Sequence, residues 1–338
     1  MQRFLNDPDA VVDETVRGFV RAHAGLVRLH PGNPRVVLSL KAGEPGRVGV
    51  VTGGGSGHEP AFVGYAGPGM CDAVAVGELF SSPTARSFAD AVRAADGGRG
   101  VVVLYGNYAG DTMNVRLALR MLAKEGIEVL TVVASDDVVS APHAEREKRR
   151  GVAGEVLMWK VGGAKAAEGA SAEEVRAAAQ GAIDACRSVG VGLGPCTLPA
   201  VGHPNFEIKP GTMEVGIGHH GEPGARVAPL STANEVADEM ARLVMDDFEA
   251  TGPAPAEVAV LLSGLGATPV NELYVLYDRV ASQVEARGAR IHRAFVGNHF
   301  TSLEMVGATL TVMALDGERR ALLDAPGASV GLAVGGSR

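Results

Sequence analysis

Apolar runs alternate with amphipathic stretches through the first half of the chain. Nearly continuous runs of apolar residues, rich in Val and Leu, occur at residues 47–51, 100–105 and 128–134. Such runs are typical of strands in a parallel sheet that is covered on both faces. Residues 83–95 and 111–124 have the spacing of amphipathic helices. The second helix is expected to turn five apolar side chains towards the sheet: Val115, Leu117, Leu119, Met121 and Leu122.

The second half repeats this alternation after an alanine-rich helical region at residues 151–189. A domain boundary in that region gives an N-terminal domain at 1–186 and a C-terminal domain at 187–338. Thr232 and Glu235 match a capping box at the start of a helix. Strands are expected at 257–262, 290–296 and 308–314, with a helix at 269–285. The pattern predicts two α/β domains with mixed or parallel sheets and a ligand site at the carboxyl ends of strands.

Two glycine-rich turns place a histidine just before Glu-Pro. Residues 53–60 read GGGSGHEP, and residues 215–223 read VGIGHHGEP. Glycine lets the backbone approach a small ligand closely, and imidazole acts as a base, nucleophile or metal ligand near neutral pH. A tight loop with a hydrogen-bonded histidine would explain either turn alone. The pair favours one active site assembled from two halves.

A third element is the GNYAGD turn at residues 106–111, which follows a predicted strand. Asp111 stands where a helix should begin, so its carboxylate is either a helix N-cap or a catalytic group aimed at the carboxyl end of the sheet. Both interpretations stay open at this point. Together, His58, Asp111 and His220 make an acid/base set with a nucleophile.

Composition excludes several classes of function. The 338 residues carry a net charge of −8, which argues against a nucleic-acid partner. No apolar run is long enough to cross a bilayer, and the N-terminus lacks the layout of a signal peptide, so we expect a cytoplasmic protein without a membrane role. The three cysteines have no CxxC spacing and are expected to be reduced. No metal site is expected, because adjacent residues such as His219 and His220 seldom ligate one ion.

The motifs resemble those of the dihydroxyacetone kinase substrate-binding subunit family. Besides the two histidine turns and GNYAGD, the resemblance rests on ordered blocks along essentially the whole chain: GELFSSPT at 77–84, RRGVA at 149–153, LGATP at 265–269, NELY at 271–274, TSLEM at 301–305 and DAP at 324–326. The resemblance implies two α/β domains and a homodimer.

The same resemblance implies roles for individual residues. His220 is expected to hold the C2 carbonyl of a short ketose covalently as a hemiaminal. His58 and Asp111 are expected to move protons, with Asp111 as the base for the hydroxyl that attacks phosphorus. A covalent tether orients a small molecule that offers few other contacts, and it rejects glycerol, which has no carbonyl. The expected substrate-binding residues are Gly53, Gly54, Gly55, Ser56, Gly57 and Gly106.

The resemblance also implies that this chain binds no nucleotide. The phosphoryl donor is expected on a separate helical kinase subunit, either as ATP with Mg²⁺ or as a bound ADP that a phosphotransferase protein recharges. Because the chain ends soon after residues 324–326, where single-chain relatives append the helical domain, this partner is expected to act in trans.

One departure from the family concerns the substrate. Many members carry a lysine immediately before the Asn-Tyr-x-Gly-Asp turn, where this chain has Gly106 preceded by Tyr105. Loss of an ammonium donor enlarges the pocket, which leaves a tetrulose such as erythrulose as an alternative to dihydroxyacetone. A non-catalytic ketone-binding regulator is an alternative of another class, and a sugar-binding protein without a kinase partner is a third.

Overall fold

Two six-stranded sheets organise the chain in this computed structural model, which describes residues 3–335. Each sheet belongs to its own compact unit. The first unit contains the described residues up to Val133, Val156–Gly181 and those from Arg319 onward, and the second contains Ala134–Glu155 and Ala182–Glu318. Each unit is therefore built from separate stretches of the chain, whereas the predicted domains 1–186 and 187–338 are each continuous. Whether residue 187 begins an independently folding domain stays a prediction.

The sheet of the first unit has the strand order β1-β2-β4-β3-β5-β6. Strands β3, β4 and β5 are parallel, whereas β1 and β2 pair antiparallel and β2 is antiparallel to β4. The strands are β1 (Val27–His30), β2 (Asn33–Ser39), β3 (Gly49–Ser56), β4 (Ala73–Leu79), β5 (Val101–Gly106) and β6 (Val129–Ala134). The helices that begin between residues 11 and 172 are α1 (Val11–Ala22), α2 (Ala85–Ala95), α3 (Ala109–Leu122), α4 (Gly154–Ala167) and α5 (Ala172–Asp184).

The sheet of the second unit has the order β11-β10-β12-β7-β8-β9, in which only the β10–β11 pair is parallel. The remaining strands are β7 (Cys186–Gly194), β8 (Thr212–Val215), β9 (Arg226–Pro229), β10 (Glu257–Gly264), β11 (Arg290–Gly297), β12 (Val306–Ala314) and the short pair β13 (Gly327–Ala328) and β14 (Ala333–Val334). The remaining helices are α6 (Ala233–Glu249), α7 (Val270–Ala286) and α8 (Gly317–Asp324). The predicted α/β class with mixed and parallel sheets is confirmed.

The capping box that begins α6 is present as predicted. The side chain of Thr232 accepts from the backbone N–H of Glu235, and the carboxylate of Glu235 accepts from the backbone N–H of Thr232. Two helix donors are satisfied reciprocally, which fixes the first turn. Cys71, Cys186 and Cys196 are buried and form no disulfide bond, and their reduced state stays a prediction.

Helix α3 packs with a different face from the one predicted. Val115, Ala118 and Leu122 are buried against the first unit's core. Leu117 and Met121 are instead 41% and 44% exposed. The inward-facing prediction was therefore wrong for these two, because the helix turns the Val115–Ala118–Leu122 side to the sheet. No helix among residues 3–335 has the length and hydropathy needed to span a membrane.

Candidate functional site

Two neighbouring parallel strands place His58 and Asp111 at one edge of the first unit's sheet. Strand β3 pairs in parallel with β5, from Gly49 opposite Val101 to Thr52 opposite Leu104. His58 follows β3, and Asp111 follows β5. The carboxyl ends of adjacent parallel strands lie at the same edge, which is where open α/β sheets bind their ligands. The structure thus brings two of the three predicted catalytic residues to the predicted kind of location.

The glycine run belongs to the strand and not to a loop. Gly53, Gly54 and Gly55 pair with β4. The spaces where their Cβ atoms would stand are filled: at Gly53 an added Cβ would lie 2.8 Å from the Phe88 ring, and at Gly54 it would overlap the Phe62 ring. Glycine is needed here so that two aromatic rings can lie against the strand. The loop begins at Gly57, and the predicted substrate contacts of residues 53–57 stay predictions.

His58 lies buried in an aromatic setting, with 2% of its surface exposed. Its ring stacks on Phe80, with 4.9 Å between centroids and 25° between planes, and meets Phe62 edge-on at 6.1 Å. Phe80 has φ +52°, in the left-handed region that a bulky residue rarely adopts. The backbone N–H of Phe80 donates to the carbonyl of Ser56. This backbone conformation holds the Phe80 ring against the histidine.

Asp111 is the third residue of α3, whose N-cap is Tyr108. The N-cap interpretation of Asp111 was therefore wrong, because the helix begins two residues earlier than expected. A carboxylate in the first turn is stabilised by the positive end of the helix dipole. Burial raises the pKa of the nearby Tyr105 hydroxyl, and the charge of Asp111 raises it further. The hydrogen bond to Thr112 and the charge of Arg116 act in the opposite direction. Gly106, which was also predicted to contact the substrate, is the last residue of β5 and follows Tyr105 directly.

His220 stands on a turn of the second unit and pairs with Glu222. Its Nδ1 lies 2.7 Å from Oε1 of Glu222, and its backbone N–H donates to Oε2 of the same carboxylate at 3.0 Å. The His220 side chain is 27% exposed. Although burial opposes ionisation of Glu222, the hydrogen bond and the attraction to His220 lower its pKa to about 2. An ionised carboxylate at Nδ1 fixes the proton there and leaves the lone pair on Nε2.

Arg150 braces the base of the same turn. Its guanidinium donates to the Asp137 carboxylate through Nε at 2.9 Å and to the Gly216 carbonyl through Nη2 at 2.8 Å. Its Nη1 lies 2.6 Å from the point where a Cβ on Gly218 would stand, and the Glu222 carboxylate borders the same point. Arg150 thus ties a buried acid to the turn and brings positive charge near Glu222.

His219 is a packed residue and not a second reactive histidine. It is 2% exposed, its Nε2 lies 3.2 Å from the Thr309 hydroxyl, and its ring packs on Phe300 at 4.5 Å. Burial is the largest cause that lowers its pKa to about 3, so the ring is neutral at neutral pH. The choice of His220 over His219 as the reactive candidate agrees with this difference in exposure.

Sequence reasoning missed Glu222 and Arg150. The sequence did contain a signal for Glu222, since a glutamate follows the histidine within two residues in both turns. Arg150 stood in the RRGVA block without an assigned role, and its contact with the Gly216 carbonyl spans 66 residues. Within residues 3–335, no group of three or more His, Cys, Asp or Glu side chains is arranged to hold a metal ion.

Comparison with known proteins gives consistent results. The Dak1 domain family model matches residues 17–331. The chain is 41% identical over 326 residues to the dihydroxyacetone-binding subunit DhaK of PTS-dependent dihydroxyacetone kinase 2 from Listeria innocua, covering 96% of this chain and 97% of that protein. It is 42% identical over 332 residues to the L-erythrulose 1-kinase of Mycolicibacterium smegmatis, covering 96% of this chain but 57% of that protein.

Solved structures share the fold. The dihydroxyacetone kinase operon co-activator Dha-DhaQ matches with a TM-score of 0.89 and 31% sequence identity, over 95% of this chain and 98% of that one. The relatives thus include proteins named as a kinase subunit, a tetrulose kinase and a co-activator.

Proposed function

This chain belongs to the Dak1 domain family, and on that basis we propose that it is the substrate-binding subunit of a short-ketose kinase. The reaction is transfer of a phosphoryl group to a terminal hydroxyl of the ketose. The observation that carries the proposal is the His220–Glu222 pair, an accessible imidazole whose tautomer is set by an ionised carboxylate.

The pair suits His220 to hold the substrate covalently. The Nε2 lone pair forms a bond to C2 of the ketose as the carbonyl π bond breaks. The carbonyl oxygen takes a proton, for which His58 is the proposed donor, and the proton on Nδ1 stays on the ring in its hydrogen bond to the ionised Glu222 carboxylate. The product is a hemiaminal in which every atom of the ketose is kept. Asp111 then takes the proton from the terminal hydroxyl as phosphorus is attacked.

The phosphoryl donor belongs to another subunit in this proposal. ATP, or ADP that is recharged by a phosphotransferase protein, would be carried with Mg²⁺ on a helical partner that acts in trans. The relative from Listeria innocua is itself named as one subunit of a kinase, which supports a multi-subunit assembly. A homodimer and a cytoplasmic location belong to the same proposal.

A tetrulose is the second candidate substrate. At the end of β5 this chain has Gly106, which has no side chain, where many members of the family carry a lysine. The chain is also 40–42% identical to three proteins named as erythrulose kinases. The ratio of kcat/KM for dihydroxyacetone and for each erythrulose enantiomer, measured with the partner subunit present, decides between triose and tetrulose.

A co-activator role is the candidate of another class, supported by the structural match to Dha-DhaQ. A ketose sensor needs only the His220 tether, whereas phosphorylation also needs His58 and Asp111, and this chain has all three. The kinase is therefore the better supported function.

Native mass spectrometry tests the proposal directly. Dihydroxyacetone or erythrulose should add its full mass to the protein with no loss of water, whereas glycerol should add nothing. A lysine imine would lose one water and contradict the hemiaminal. Absence of any ketose adduct would contradict the proposed function.

A further inference from the structure

A loop of the second unit contacts the His220 turn from outside that turn. The loop follows β7 and comprises Cys196–Phe206, and we name it the Cys196 loop. Its two ends are joined, because the backbone N–H of Asn205 donates to the carbonyl of Cys196 at 3.1 Å. The backbone N–H of Thr197 also donates to Oε1 of Glu304 at 2.8 Å. The end of the loop that carries Asn205 therefore has a fixed position.

The Asn205 side chain connects this loop to His220. Its Nδ2 donates to the carbonyl oxygen of His220 at 3.0 Å. Its Oδ1 accepts from the thiol of Cys196, which is fully buried, with 3.4 Å between sulfur and oxygen. A carbonyl can only accept, so it must face the NH₂ end of the amide, and the thiol donor must face the oxygen. The two partners together fix the orientation of the amide.

Phe206, the next residue of the loop, packs against the next residue of the turn. Gly221 has φ +82°, and a Cβ added there would overlap the Phe206 ring. Glycine at this position therefore lets the ring lie directly on the backbone. The peptide group between His220 and Gly221 is thus held by two neighbouring side chains, Asn205 at its oxygen and Phe206 beside its glycine.

His220 is consequently fixed at three atoms. Glu222 holds its ring Nδ1 and its backbone N–H, and Asn205 holds its carbonyl. Glu222 belongs to the same turn and would move with it, whereas Asn205 joins the turn to a separate loop. Bond formation between Nε2 and a carbonyl carbon requires close and aligned approach, so a small displacement of the ring is costly.

We propose that Asn205 is a positioning residue for the ketose adduct: by holding the His220 carbonyl, it fixes the backbone from which the imidazole projects. The inference rests on the proposed function, because it needs the bond between His220 and the ketose. Asn205 makes no contact with the substrate in this account and acts through His220 alone.

Two substitutions test this role by titration with dihydroxyacetone and native mass spectrometry. Asn205→Ala removes the donor and should lower the equilibrium constant of the adduct about 3- to 10-fold. Asn205→Asp keeps the size of the side chain and an acceptor for Cys196, but it places a carboxylate oxygen against the His220 carbonyl. It should therefore lower the constant more than Asn205→Ala does. Asn234→Ala and Asn234→Asp, at an exposed position of α6, are the matched controls and should stay within about 2-fold of wild type.

Steady-state kinetics with the partner subunit give a readout that loss of loop packing alone would not change. Asn205→Ala should raise KM for the ketose by the same factor and leave kcat within about 2-fold of wild type. The reason is that Asp111 and the phosphoryl donor act on a ketose that is already bound. Asp111→Asn, in contrast, should lower kcat.

The outcomes separate this inference from the proposed function. Adduct constants that equal the wild-type value in both Asn205 variants would overturn the inference. A lower free energy of unfolding with an unaltered adduct constant would leave Asn205 only a structural role and overturn it too, as would a fall in kcat with an unaltered KM. A wild-type chain that forms no ketose adduct would contradict the proposed function itself.

Discussion

Both carboxylate oxygens of Glu222 contact His220: Oε1 lies 2.7 Å from Nδ1 of the His220 ring, and Oε2 accepts a hydrogen bond from the His220 backbone N–H at 3.0 Å. The carboxylate therefore fixes both the orientation of the imidazole and the position of its proton. With the pKa of Glu222 lowered to about 2, its charge is present throughout the neutral range. This is the arrangement that a nucleophilic Nε2 requires.

Replacing Glu222 by Gln should weaken the ketose adduct. A neutral amide loses a charge-assisted hydrogen bond, which is worth about 1.5–3 kcal/mol, or about 10- to 100-fold in the equilibrium constant. Titration with ketose, followed by native mass spectrometry, measures this constant. Glu207→Gln removes the same charge from an exposed position and serves as the control. Equal adduct affinity in Glu222→Gln and wild type would contradict the role of Glu222.

Asp111→Asn should separate the tether from phosphoryl transfer. Loss of a general base lowers the rate about 10²- to 10⁴-fold, whereas the hemiaminal on His220 should form as before. Rates are measured with the partner subunit, and adduct formation is measured without it. Loss of a first-turn carboxylate should lower the free energy of unfolding by only about 0.3–1 kcal/mol. A parallel fall of adduct and rate would give Asp111 a structural role instead.

Arg150→Met should destabilise the fold because it leaves Asp137 buried without its partner. Breaking a buried pair costs about 3–5 kcal/mol. Burial raises the pKa of Asp137 to about 6 even though Arg150 opposes the shift, so removal of Arg150 should raise it further. Protonated Asp137 tolerates burial, and the loss should therefore be smaller at pH 5 than at pH 8.

Denaturant unfolding at both pH values measures this difference. The double variant Arg150→Met/Asp137→Asn should recover much of the loss. Arg279→Met, which breaks the exposed pair with Asp238, should cost about 1 kcal/mol or less. If Arg150→Met destabilised the protein equally at pH 5 and pH 8, the buried charge on Asp137 would not be the cause.

His219→Gln should flatten the dependence of stability on pH. The pKa of buried His219 is about 3, against about 6.5 for an exposed histidine. Between these values the unfolded chain binds the extra proton, so stability falls as pH falls, by up to about 1.4 kcal/mol per pH unit. Unfolding free energies at several pH values from 7.5 to 4.5 measure the slope. His203→Gln, at an exposed histidine, should keep the wild-type slope, and an unchanged slope in His219→Gln would count against this account.

Local signals in the sequence predicted local structure well. Thr232 and Glu235 are three residues apart, so their capping box depends on little else, and it is present. The extent of β3 could not be predicted in this way. Gly53 and Gly54 continue the strand by pairing with Ala75 and Val76 of β4, and rings from Phe88 and Phe62 fill the space beside them. No local pattern reveals such contacts.

The same limit applies to the candidate site. His58 and Asp111 were predicted from motifs, and the parallel pairing of β3 and β5 explains why they lie at one edge. The N-cap interpretation of Asp111 failed because the start of α3 depends on the turn after β5 and not on the carboxylate alone. Arg150 could not be found because its partners become neighbours only in the folded second unit.

The most direct test of the account is the site of the covalent bond. Protein labelled with ¹⁵N in its histidine rings is mixed with [2-¹³C]dihydroxyacetone and observed by NMR. We predict that the C2 signal moves from the carbonyl to the tetrahedral region and shows a one-bond coupling to ¹⁵N, which His219→Gln keeps and His220→Gln abolishes. A C2 signal that stays in the carbonyl region, or a coupling that survives in His220→Gln, would contradict the assignment of His220 as the residue that holds the ketose.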